Sequence, residues 1–289
     1  MIVASMEVRM RKTQKINNII FHVLAVALGF AMIYPLLWMI MSSYKPSNEI
    51  FANAGSLMPK EFFPSNYPTG WKGFGGISFS VFFKNSFIIA GLSTVGSVFS
   101  SACIAFGLSR LRFKGRKIWF VMMLLTMMLP FQIIMIPQYI IFNKAGWIGT
   151  ILPLVAPAYF GGGFFIFLIM QFIYGIPKDL DEAAKIDGCS FYGIFGRVIL
   201  PLIVPALITC GIFAFMWKWD DFLASLLYLN NPSNYTVSLA LKMFSGPSTQ
   251  SDWGAMFAMA TLSILPIMLI FIFCQKYLVE GISTEGLKG

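Results

Sequence analysis

Two polar islands break an otherwise apolar chain, and any chemistry the protein performs starts from them. The first, Pro177 to Pro201, carries Lys178, Asp179, Asp181, Glu182, Lys185, Asp187 and Arg197 around Gly188. The second is Trp217-Lys218-Trp219-Asp220-Asp221-Phe222. Neither sets a nucleophile beside a base. His22 is the only histidine, and no Gly-x-Ser-x-Gly or His-Glu-x-x-His pattern occurs. No Cys-x-x-Cys joins the 4 cysteines and no Gly-x-x-x-x-Gly-Lys-Ser/Thr is present, which excludes a metal site read from spacing and ATP hydrolysis by this chain. Candidate catalytic residues and metal ligands are therefore none, and the islands read as contact chemistry.

The first island reads as helix, glycine turn, helix. Asp179 is placed to cap the first helix and Glu182, three residues on, to reach back to the cap N–H. Gly188 stands where a left-handed residue ends the turn. Leu180, Ala183, Ala184 and Ile186 recur at near-helical spacing, giving one apolar and one acidic side, a knob shaped for a groove on another protein. The second island has two readings. It is an interfacial aromatic belt with solvated charges, or Trp217 or Trp219 offers a flat apolar face, and Asp220 and Asp221 hydrogen-bond acceptors, to a polar solute in a membrane path.

The elements that position these islands follow from composition. A chain of 289 residues that is 57% hydrophobic and 11% charged exposes too much apolar surface for one water-soluble core. The fold class expected is all-α and polytopic, with six spans near 19–41, 83–108, 118–142, 151–173, 200–226 and 255–277, each near the ~20 residues a bilayer needs. The net charge of +9 does not point to nucleic acid, because the basic residues cluster at span ends. With the N-terminus inside, fourteen of the 21 Lys and Arg fall on the cytoplasmic side, among them Arg9, Arg110, Arg116, Lys178 and Arg197. Both termini and the first island then face the cytosol. The first apolar run is too long for a signal peptide and lacks a small-residue cleavage site. His22 within it reads as a packing residue.

The expected organisation is a cytoplasmic segment 1–18, a transmembrane domain 19–277 and a cytoplasmic tail 278–289. Within the domain lie an outer loop 42–82, the cytoplasmic loop 177–199 and an outer loop 230–253. Small residues along the second span, Gly91 to Gly107, predict close packing against other helices. Pro130, Gln132 and Pro137 in the third span, and Pro153, Pro157 and Gly161-Gly162-Gly163 in the fourth, predict bends around an interior path or ordinary kinks. Trp217 lies about 25 Å along a helix from Leu200, near the outer edge of the hydrocarbon.

The offsets Glu182-Ala183-Ala184, Gly188 and Val198-Ile199-Leu200-Pro201 resemble the EAA loop of ABC-importer membrane subunits, with Val198 where that pattern has Ile. Met128 to Gln132, Ile136 to Tyr139, Trp219 to Phe222, Tyr235 to Leu239 and the final Gly286-Leu287-Lys288-Gly289 extend the resemblance to the smaller, six-span, maltose-type carbohydrate permease. Asp220 stands where that family commonly has Asn, with Lys218 beside it. Gly70-Trp71-Lys72-Gly73 resembles permeases for oligosaccharides of uronic-acid polymers.

The resemblance implies a subunit of the bacterial cytoplasmic (inner) membrane, with no cofactor of its own. Its implied partners are a second, larger membrane subunit, a cytosolic ABC ATPase dimer that holds ATP and Mg, an extracytoplasmic solute-binding protein and an oligosaccharide. It implies that Asp179, Glu182, Ala183, Ala184, Lys185, Asp187, Gly188 and Phe191 contact the ATPase. Gln132, Trp217, Lys218, Trp219, Asp220 and Asp221 become substrate-path candidates, Tyr235, Phe244 and Gly246 the binding-protein loop, and Gly286, Leu287, Lys288 and Gly289 an ATPase-contacting tail. Neutral maltodextrin-like and acidic sugars both remain open. A stand-alone secondary transporter is the rival reading, but two matching halves with midplane ionisable residues are not apparent.

Overall fold

The computed structural model describes residues 2–244 and 252–283, and side chains over 17–244 and 252–277. Its regular elements are helices: α1 (Ile2–Ser42), α2 (Ser47–Ala52), α3 (Asn66–Lys72), α4 (Phe79–Arg110), α5 (Arg116–Met128), α6 (Phe131–Lys144), α7 (Leu152–Val155), α8 (Gly163–Gly175), α9 (Asp179–Ile186), α10 (Phe191–Gly193), α11 (Leu200–Leu202), α12 (Val204–Trp219), α13 (Phe222–Tyr228), α14 (Val237–Met243) and α15 (Trp253–Ser283). A π-helical turn, Ile194–Ile199, links α10 to α11, and 3-10 turns occupy Ala156–Phe160 and Pro232–Asn234.

Among the described residues, four stretches are long and apolar enough to cross a bilayer alone: Asn17–Ser42, Phe79–Arg110, Leu152–Gly175 and Trp253–Tyr277. The expected third and fifth spans are not single rods. The third is α5 and α6 at 101°, the fifth Phe191–Leu202 and α12 at 76°. Proline explains both breaks. Leu129, just before Pro130, is extended at φ −80° and ψ 115°, as the proline ring demands of its predecessor. Ile203, between Pro201 and Pro205, leaves the helical region at φ −97° and ψ 8°, and Pro205 has no N–H to continue the ladder. Pro137, by contrast, is carried inside α6.

The described chain forms two compact units. The first comprises residues 1–70 and 245–262. There the buried Asn66 amide donates to the carbonyls of Ser43 and Lys45, both at 2.8 Å, and the fully buried Lys45 ammonium donates to the Ser56 carbonyl. Ser47 Oγ donates to Asp252 Oδ1 at 2.9 Å, and that carboxylate caps the first turn of α15 through Ala255 N.

The second unit comprises residues 71–244 and 263–289 and is built on α4, which packs against α8 and α12. The small residues expected to allow close approach do so. Ser93, Ser97, Ser101, Ala102 and Ala105 are buried, and a Cβ on Gly96 would sit 2.5 Å from the Tyr159 ring. The α4 hydroxyls also satisfy the backbone that the prolines and glycines of the fourth span disrupt. Ser93 Oγ donates to the Leu154 carbonyl, Ser100 Oγ to that of Ala158, and Ser101 Oγ accepts the Gly162 N–H, at 3.2, 3.1 and 3.1 Å. Hydroxyls of a neighbouring helix thus pair part of the irregular backbone, as a membrane setting requires.

Candidate functional site

The first island folds into α9, a left-handed turn at Gly188 and a second helical segment. The expected cap at Asp179 is corrected. Lys178 precedes α9 with already helical dihedrals and no side chain caps it, so Asp179 is the first helical residue. Asp179, Asp181 and Glu182 instead crowd the first turn, where the positive end of the helix dipole favours carboxylates. The other end follows the sequence reading closely. Gly188 has φ +79°, its N–H donates to Lys185 O at 3.0 Å, and Cys189 N–H donates to Ala184 O at 2.9 Å. That pair of bonds is a Schellman motif, and it satisfies two carbonyls that the helix end would otherwise orphan. Ser190 Oγ then accepts the Gly193 N–H and starts the next helical turn.

Only part of the apolar side of α9 faces inward. Ala184 is buried in the core of the second unit, among Ile173, Ile194 and Ile199. Glu182, Ala183, Lys185, Asp187 and Gly188 are exposed, Ile186 is 87% and Tyr192 89% exposed, and Phe191 is half exposed. Lys185 Nζ lies 5.7 Å from the Phe191 ring centroid. The result is an apolar, acid-rimmed ridge standing clear of the unit that anchors it. Arg110, the last residue of α4, provides the anchor. Its Nη2 donates to Ile176 O at 2.7 Å and its Nε lies 3.0 Å from Asp181 Oδ2, both side chains being almost fully buried. Arg116 Nη2 reaches Tyr174 Oη at 3.3 Å, so the basic loop after α4 and the island share one end of the unit.

The second island borders a cleft of about 480 Å³, within the ~300–1,000 Å³ typical of small-molecule sites. Trp217, Lys218 and Asp221 line it with Ser93 and Ser97 of α4, Gln138 of α6, Phe165 of α8 and Tyr228 of α13. The Lys218 ammonium is 3.0 Å from Asp221 Oδ2, while Asp221 Oδ1 accepts the Ala224 N–H and caps α13. Tyr228 Oη donates to Gln138 Oε1 at 3.2 Å. Trp217 is 53% exposed; its ring packs against Phe164, Phe165 and Phe213, and the remainder borders the cleft.

The remaining candidates are placed differently. Trp219, the alternative to Trp217 for the open face and a substrate-path candidate, is instead a packing residue. It is 3% exposed, donates from Nε1 to Ser263 O at 3.1 Å and stacks on Phe215. Gln132 and Asp220 are exposed and lie off the cleft. Tyr235 is half-buried, its carbonyl accepting from Asn85 Nδ2 at 3.1 Å, and Phe244 is buried against Phe74 and Phe79, so it is not presented to a partner. Gly246 and Gly286, Leu287, Lys288 and Gly289 lie outside the described residues. Among the described residues no cluster of His, Cys, Asp or Glu suits a metal ion.

Sequence reasoning passed over Arg110 and Asp181, and the cleft residues Ser93, Ser97, Gln138 and Tyr228. One signal for Asp181 was available: it stands three residues before the inward-facing Ala184 and so shares its side of α9. In the sequence Arg110 carries only a topological signal, as one of the basic residues at a span end.

Residues 97–284 match the family described as binding-protein-dependent transport system inner membrane component. The chain is 38% identical over 260 residues to the probable ABC transporter permease protein YurM of Bacillus subtilis (strain 168), covering 90% of this chain and 85% of that one. It is 32% identical over 269 residues to the arabinooligosaccharides transport system permease protein AraQ of the same organism, covering 91% and 92%. In structure it resembles a chain from a bacterial ABC transporter involved in the import of the acidic polysaccharide alginate, with TM-score 0.79, 20% identity, and 92% and 97% of the two chains covered.

Proposed function

This chain belongs to the family of binding-protein-dependent transport system inner membrane components, and we propose that it serves oligosaccharide import, with α9 as the helix that couples a separate ATPase to the membrane spans. As an ABC permease subunit it is a multi-pass inner membrane protein that works with a binding protein and an ATPase, and it is not itself an enzyme. The proposal adds the docking residues, the side of the membrane and the solute.

The observation that carries it is the exposure of Glu182, Ala183 and Ile186 on a helix whose other side is pinned by Ala184 and Asp181. A helix held from behind with an apolar, acidic front is suited to insert into a cleft of a cytosolic ATPase dimer. Closure of that dimer on ATP and Mg would push α9 and tilt the spans. The proposed cytoplasmic placement of the island, both termini and the 278–289 tail is supported by the Lys and Arg that the sequence clusters at the span ends assigned to that side. A second, larger membrane subunit would supply the other half of the path. The loop 230–253 would face the solute-binding protein, with Tyr235 and Gly246 among its candidate contacts, and Gly286 to Gly289 would reach the ATPase.

Relatives named for arabinooligosaccharides and for starch degradation products support an oligosaccharide as solute. In the cleft, Trp217 would stack on a sugar ring while Gln138 and the serines hydrogen-bond its hydroxyls. The cation lining the cleft, Lys218, is already neutralised by Asp221, which favours a neutral sugar over an acidic one. The test is a thermal-shift screen of the cognate binding protein against neutral and acidic oligosaccharides, followed by uptake in proteoliposomes containing the whole complex. Stabilisation and uptake of neutral oligosaccharides are expected. Response to uronate oligomers alone would reverse the charge argument, and response to no oligosaccharide would end the sugar reading.

A further inference from the structure

The guanidinium of Arg110 sits where three elements meet. It is carried by the last residue of α4, the helix around which the second unit packs. Nη2 holds the carbonyl of Ile176, the residue that ends α8, and Nε faces the Asp181 carboxylate in α9. One planar side chain thus ties two spans to the exposed ridge, and it does so almost out of contact with water. The joint is also incompletely filled: Asp181 Oδ1 is buried without a hydrogen-bond partner, and Nε lies at ion-pair distance from Oδ2 without hydrogen-bond alignment.

We propose that Arg110 and Asp181 form the mechanical joint through which movement of α9 reaches the membrane spans, Arg110 acting as a positioning residue rather than as part of the ATPase-docking surface. This rests on the reading of α9 as the helix an ATPase pushes. Apart from the ion pair, α9 is held chiefly by the small Ala184, whose apolar contact is non-directional and tolerates sliding. A charge pair in a low-dielectric setting does not tolerate separation, because parting it leaves two uncompensated charges. Displacement of α9 is therefore transmitted to α4 and α8. The unfilled Oδ1 lets the fork shift from one carboxylate oxygen to both, so the joint pivots instead of breaking.

The experiment uses the whole transporter in proteoliposomes with its binding protein, and reads ATP hydrolysed per sugar imported beside retention of the ATPase on purification. The variants are Arg110→Lys, Arg110→Gln, Asp181→Asn and the exchange Arg110→Asp with Asp181→Arg. With Arg110→Gln and Asp181→Asn the ATPase is expected to stay bound while ATP consumed per sugar rises at least several-fold. Arg110→Lys, which reaches one partner at a time, is expected to fall between, and the exchange to recover part of the coupling. If Arg110→Gln fails to accumulate, Arg110→Lys and Asp181→Asn carry the same comparison. An unchanged ratio in an intact complex overturns the joint. Loss of the ATPase from these variants also overturns it, by assigning the pair to the docking surface. Absence of ATPase from the unaltered complex would instead sink the docking reading on which the joint rests.

Discussion

Replacing Gly188 with Ala separates backbone geometry from partner contact at the end of α9. An added Cβ would meet nothing within 4 Å, so no clash inside the chain contributes. What remains is the cost of holding a non-glycine residue at φ +79°, about 1–2 kcal/mol. The stiffer unfolded chain offsets about 0.4–1 kcal/mol of that. The net loss works out near 1 kcal/mol, which lowers the melting temperature by roughly 2–4 °C for a unit of this size. Gly188→Asn, whose side chain tolerates the left-handed region, is expected to cost less, and the β-branched Gly188→Val more. Thermal unfolding of the purified chain in detergent, followed by far-UV circular dichroism, ranks the three. Uptake is expected to fall further than stability does, because relief of strain unwinds the turn that sets the angle between α9 and the next helix. A melting drop beyond about 10 °C for Ala would mean that the site is not open. Equal stability of Ala, Asn and Val would remove the left-handed requirement at Gly188.

Glu182→Lys, on an exposed position, is expected to change unfolding stability by no more than about 0.5 kcal/mol, yet to abolish uptake and weaken ATPase retention; wild-type uptake by that variant would remove Glu182 from the docking surface. Trp217→Ala is expected to raise the half-saturation concentration for uptake with the ATPase still bound, whereas the buried Trp219→Ala is expected to cost about 3–5 kcal/mol of stability; melting curves beside uptake kinetics distinguish the two, and identical behaviour would mean that Trp217 has no role of its own in the cleft. Gly254→Ala puts a Cβ 2.5 Å from Asn66 Oδ1, the side chain that holds the Ser43 and Lys45 carbonyls, and is expected to cost about 1–3 kcal/mol; an unchanged melting temperature would show that this network yields without loss.

What the sequence disclosed was what local chemistry decides. Gly188 ends α9 because a Schellman turn needs a residue free of Cβ strain, and that requirement is visible in one residue and its spacing. The serines, alanines and glycines of α4 announce close packing in the same way, since small side chains at helical spacing have few other uses inside a bilayer. Spans three and five were legible as apolar runs, but not as bends of 101° and 76°. A proline marks a possible break; whether the chain turns there depends on which neighbours take up the freed backbone groups. Pro130 breaks its span and Pro137 does not, although both sit in similar sequence.

The two tryptophans of the second island show where pattern reading stops. Trp217 and Trp219 are two residues apart on a helix, hence on nearly opposite sides, and only one can face the cleft. Which one is settled by Phe87, Phe215 and the Ser263 carbonyl, which close around Trp219. The bend at Ile203 matters here too: it shortens the straight run behind Trp217 from the 25 Å counted from Leu200 to about 20 Å along α12. Arg110 and Asp181 are the same problem across a greater distance in the chain. Read singly, one is a topological marker and the other a first-turn acid. Their meaning comes from a contact that only the fold creates: a buried ion pair that ties the exposed ridge to the central helix, at a desolvation cost that a well-packed apolar pair would not carry.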